Sequence, residues 1–141
     1  MIFYVMFLCA HAAAWPSPAL GLERYVTCVE VGAAAHEGGV DPAMAVALSY
    51  TESRFNRDAV SPRGAHGPLQ VKPSFHCKSG RLVGCDLIKS GIGAIVRYRH
   101  RYGRKWLCHW NSGNRCYRRS RAFADLVRKR SRTLKRPRGK P

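Results

Sequence analysis

Carboxylates are scarce in this chain. Eight Asp and Glu stand against 25 Lys and Arg, for a formal charge of +17, which draws the chain to a polyanion: nucleic acid, anionic lipid or an acidic wall polymer. Nucleic-acid motifs are missing, with no zinc-finger spacing, no RNP aromatics and no heptads after the basic run, so no specific nucleic acid is expected as a partner. The Cys pairs lack the close spacing of structural zinc sites. His76 beside Cys77 and His109 beside Cys108 keep zinc as a rival reading, but no metal and no other cofactor is expected. Long apolar runs are missing too. The stretch Ile2 to Ala14 is roughly 13 residues, where a membrane-spanning helix needs about 20.

That stretch holds no Lys or Arg and leads through Ala10-His11-Ala12 and Ala12-Ala13-Ala14 to Trp15-Pro16. It resembles a secretory signal with two A-x-A-like cleavage options, the alternative being a buried N-terminal helix. The organisation expected is a signal at 1–14, one domain at 15–121, and a basic helix end with a disordered tail at 122–141. A total of 141 residues suits one compact core. Cys9 would leave with the signal. Cys77 with Cys85 and Cys108 with Cys116 each enclose a short Gly-containing loop, and two local disulfides in an oxidising compartment follow as the hypothesis. Cys28 is left over, either a buried thiol or a competitor for one of those partners.

Helical periodicity marks Leu22 to Glu37, with Leu22, Val26, Val29 and Ala33 on one face and Gly38-Gly39 as the stop. It marks Asp86 to Tyr102 through Ile88, Ile92, Ile95 and Tyr102, where Gly91 and Gly93 permit close packing. A hairpin is expected around Lys78-Ser79-Gly80. A last basic helix carries Phe123, Leu126 and Val127, and from Arg128 onward the chain has too few apolar residues to pack.

The organising stretch is Asp41 to Val71. Asp41-Pro42 reads as a helix N-cap followed by a first-turn proline. Met44, Ala47, Leu48, Thr51 and Phe55 recur at helical spacing, which puts Glu52 on the inward stripe of a helix ending near Asn56. A helical Glu ordinarily faces water. Here a polar loop follows at once, with Ser61-Pro62, Gly64, Gly67-Pro68 and Gln70. A carboxyl at the inner end of a helix, faced by a tight loop, is desolvated and pushed towards a pKa suited to protonating a leaving group.

Glu52-Ser53, Phe55-Asn56, Ala59-Val60-Ser61-Pro62, Gly64-Ala65, Gly67 and Leu69-Gln70 together resemble the signature of the soluble lytic transglycosylase catalytic domain, glycoside hydrolase family 23. Pro68 stands where that pattern usually has Leu, and Leu69 where it has Met. Farther on, Trp110-Asn111-Ser112-Gly113 is similar to the family's Y-N-A-G motif, with Trp for Tyr and Ser for Ala. The resemblance implies an α+β, mainly α, lysozyme-like fold with a small hairpin or loop lobe beside the catalytic helix. Glycosidases commonly need two carboxylates about the scissile bond, yet the nearest other acid, Asp58, reads as a turn residue. A single acid needs another source of nucleophile, and the resemblance supplies the substrate's own 6-hydroxyl.

By that resemblance Glu52 is the catalytic acid and then base. Ser53 would help hold it, Ser61 and Gln70 would hydrogen-bond substrate, and Trp110 with Asn111 would form the opposite wall. Gly64, Gly67 and Gly113 serve backbone geometry; His66, His76 and His109 receive no role. The partner implied is a peptidoglycan strand, in the periplasm or outside the cell, with the basic tail on anionic wall polymer or membrane. A secretion or phage assembly is a further partner that the resemblance allows. Two rivals remain at this level: a lysozyme-type hydrolase on the same fold, and a non-enzymatic cationic protein.

Overall fold

The computed structural model describes residues 1–15 and 20–136. Its elements are α1 (Ile2–Ala13), α2 (Leu22–Glu37), α3 (Pro42–Ser53), α4 (Pro73–His76), α5 (Leu87–Tyr102), a 3-10 turn (Gly103–Lys105), α6 (Trp106–Ser112) and α7 (Arg118–Lys135). The fold is mainly helical. The lobe after α3 carries only isolated bridges, Val60 to His66 and His66 to Val71. Around Lys78-Ser79-Gly80 a turn replaces the expected hairpin, with Gly80 N–H donating to the Cys77 carbonyl.

α3 is the central helix, packed by α1, α2 and α7. Asp41 caps it by accepting from the Ala43 N–H at 3.0 Å, and Pro42 fills the first turn. Burial runs around the helix, through Ala43, Ala45, Val46, Ala47, Leu48, Ser49 and Tyr50, so it has no single apolar stripe. It ends at Ser53, earlier than periodicity suggests, because Arg54 and Phe55 are left-handed (φ 51° and 60°). That turn drives Phe55 fully into the core.

α2 keeps its expected bounds but buries another face. Leu22 and Val26 are exposed, and Thr27, Cys28, Val31, Gly32 and Ala35 face inward. α1 is the cause. Val5, Leu8, Cys9 and Ala12 are buried in the core, Val5 lies where a Cβ on Gly32 would meet it at 2.5 Å, and Cys9 is disulfide-bonded to Cys28. The leftover cysteine thus has its partner within the segment expected to depart as a signal. Cys77–Cys85 and Cys108–Cys116 pair as expected.

Asp86 caps α5, accepting from the Ile88 and Lys89 N–H groups at 3.1 and 3.0 Å. Gly91 permits the close approach anticipated there, since a Cβ would stand 2.5 Å from Leu69 Cδ1. The expectation of disorder from Arg128 onward is corrected through Lys135. α7 continues, burying Ser120, Ala124, Val127, Ser131 and Leu134, a stripe of small and apolar residues at helical spacing; Leu126 is exposed. Lys135 pairs with Asp41, and Arg130 lies over the Tyr50 ring while donating to Thr51 Oγ1 at 3.0 Å. Residues 137–141 lie outside the described residues.

Candidate active site

Glu52 occupies the last turn of α3 and is half-buried there. Burial raises its pKa from 4.5 to about 7, and a hydrogen bond from the Trp110 side chain, which favours the charged form, offsets part of the rise. Near neutral pH such a carboxyl holds its proton in a sizeable fraction of molecules. An indole offers only an N–H, so Trp110 donates.

The loop facing α3 is fastened by hydroxyls. Ser49 and Ser53 both donate to the Pro68 carbonyl, at 2.9 and 2.8 Å. Ser53, expected to hold Glu52, holds the loop. A carbonyl has two lone pairs, so the pair of donors saturates it. Farther along, Ser61 Oγ accepts from the Ala65 and Arg63 N–H groups at 3.0 and 3.3 Å. Gly67 sits at φ 78° against Leu87, where a Cβ would approach Leu87 Cδ1 to 2.8 Å. Its neighbour Pro68 leads to Leu69, fully buried. Gln70 then adopts φ 54°, and its amide nitrogen donates to the carbonyls of Ala59 and Gly67 at 3.1 and 2.9 Å. The Gln side chain thereby replaces the missing strand ladder as the brace across the loop.

α6 brings the other side. Trp110 meets Tyr98 edge-on with ring centroids 5.3 Å apart, Trp106 at 6.1 Å, and His76 in a stacked pair at 6.4 Å. Arg97 donates to His76 Nδ1 at 3.2 Å. Burial, then the neighbouring Arg97 charge, lower the His76 pKa, favouring the neutral ring that accepts this bond. Asn111 is exposed next to Trp110. His109 lies under Tyr102, with centroids 3.8 Å apart, and donates from Nδ1 to the Gly113 carbonyl at 2.7 Å. Gly113 supplies φ 75° after the helix.

The structure therefore brings Glu52, Trp110 and the Ser53-to-Gln70 loop into one region. Asp58 is exposed in its turn, its N–H donating to Asn56 Oδ1 at 3.0 Å. Sequence reasoning gave His76 no role and passed over Tyr98, yet both wall Trp110. The signal for Tyr98 was the recurrence of Tyr98, Tyr102, Trp106 and Trp110 at every fourth residue, a run that crosses from α5 through the 3-10 turn into α6. A groove of about 630 Å³ between α2, Pro68 and the start of α5 is lined by Glu30, Glu37, Arg57 and Asp86, not by Glu52.

Comparison with known proteins adds one finding. The family model described as transglycosylase SLT domain matches residues 30–115, a span from α2 through the loop after α6 that contains every residue of this site. No curated protein and no solved structure matches the chain.

Proposed function

The chain belongs to the transglycosylase SLT domain family, whose activity is on peptidoglycan, and from that premise we propose that it is a lytic transglycosylase cleaving the β-1,4 bond between N-acetylmuramic acid and N-acetylglucosamine. One observation carries the reading: Glu52, half-buried in the last turn of α3, has its pKa raised by desolvation to about 7, and the nearest acid in sequence, Asp58, is exposed. Protonated Glu52 gives its proton to the glycosidic oxygen as the C1–O4 bond breaks. The muramyl 6-hydroxyl then bonds to C1 and its proton passes to the Glu52 carboxylate. A 1,6-anhydro ring forms, no water is consumed, and the acid is regenerated.

Trp110 would offer a ring face to sugar and hold the departing proton's carboxylate by its N–H. Gln70, with its nitrogen committed to the loop, would present its carboxamide oxygen, and Ser61 and Asn111 would bond sugar at the rim. Ser53 acts as a positioning residue through Pro68. Export to the periplasm or beyond is supported by disulfides at Cys9–Cys28, Cys77–Cys85 and Cys108–Cys116, and the cationic surface suits an anionic wall. Turbidity clearing of purified peptidoglycan tests the assignment. Glu52→Gln should abolish clearing with the fold intact; clearing that survives it would leave the chain a cationic lytic protein.

A further inference from the structure

α1 presents two faces with different fates. Its inner residues are locked into the core and to α2 by Cys9–Cys28. Its outer face is apolar and open: Ile2, Phe3, Tyr4, Met6 and Phe7 are all exposed, Phe3 at 82%. Such a run of large side chains on one short helix is not ordinary surface, because scattered apolar residues are common but contiguous ones mark an interaction face. Only His11 among Ile2–Ala13 can carry charge.

Cations lie on the helix packed beside α1. His11 Nδ1 donates to the Leu134 carbonyl of α7 at 3.1 Å, and Trp15 lies under Arg130 with 5.9 Å from guanidinium to ring. The two helices therefore run antiparallel in contact. Flanking Leu134 are Arg132 on α7 and Arg136 just past its end, both exposed, and the sequence continues with Arg138 and Lys140. An apolar, aromatic strip with exposed Arg on the helix packed beside it is the chemistry of a helix lying in the interface of an anionic bilayer. Twelve residues reach only about 18 Å, and no helix among the described residues is long and apolar enough to cross a membrane, so insertion is in-plane. We propose that the outer face of α1, with Arg132 of α7 and Arg136 just after it, docks the folded domain on an anionic phospholipid surface. This does not rest on the glycosidase reading.

Vesicle sedimentation with the full oxidised chain tests it, using phosphatidylglycerol–phosphatidylcholine vesicles against pure phosphatidylcholine. Binding to the anionic vesicles and little to the neutral ones is expected. Phe3→Ser/Phe7→Ser should weaken it roughly tenfold or more, and Arg132→Glu/Arg136→Glu by about tenfold or more. Both pairs are exposed, so an unchanged melting temperature separates lost docking from lost fold. Glu52→Gln should bind as the parent does. Equal binding by the Phe pair and the parent, a stable dimer that hides Phe3 and Phe7, or an exported chain beginning after Ala14 would each overturn the proposal.

Discussion

The Trp110 indole hydrogen-bonds the Glu52 carboxyl, joining α6 to the last turn of α3. The bond favours the carboxylate and opposes burial, so it tunes when the acid lets go of its proton. An acid that must be protonated in the free enzyme gives a kcat/KM that holds below its pKa and falls about tenfold per pH unit above it. The limb should stand at about 7. Trp110→Phe keeps a ring and removes the donor, and should move the limb upward in the pH profile; a limb that stays put would make Trp110 packing alone.

The same burial destabilises the fold at high pH. A carboxyl whose pKa is raised on folding, from 4.5 to about 7, binds more protons folded than unfolded between those values. Stability present below pH 4.5 is therefore lost as pH rises through about 7, by at most roughly 3 kcal/mol. Glu52→Gln carries no such charge. Its denaturation midpoint should exceed the parent's at pH 8 and match it near pH 4, which chemical denaturation at the two pH values measures.

Ser49 and Ser53 share one acceptor, the Pro68 carbonyl. Ser49→Ala or Ser53→Ala should each cost about 1 kcal/mol, since the other hydroxyl still satisfies the oxygen. The double variant leaves a buried carbonyl bare and should cost more than the sum, by about 1–3 kcal/mol. Because Pro68 carries Leu69 and Gln70 with it, kcat should fall alongside. Urea melts of the four chains decide whether the costs add.

Much of this was legible in residues whose role is local. Asp41-Pro42 and Asp86 start helices by their own side chains, and the Glu52-to-Gln70 pattern marked the loop against α3. What could not be read depends on distant contacts. The buried face of α2 is chosen by α1, whose apolarity reads first as a leader and only second as a core helix, and whose Cys9 pairs with Cys28 in the structure. The left-handed turn at Arg54 and Phe55 has no glycine to announce it. α7 hid its buried stripe behind serines, because Ser120 and Ser131 count as polar in any periodicity.

α7 supplies a test of that correction. Leu134 is fully buried, so Leu134→Ala should destabilise by about 2–5 kcal/mol, read from thermal or denaturant unfolding. A disordered tail would show no change.

The product of the reaction tests the central claim most directly. Purified peptidoglycan digested by the full chain and examined by mass spectrometry should yield muropeptides ending in 1,6-anhydromuramic acid, lighter by one water than reducing-end species, with none from Glu52→Gln. Reducing-end muropeptides as the primary product would show that water, not the 6-hydroxyl, captures the sugar, and would contradict the single-carboxyl mechanism drawn here.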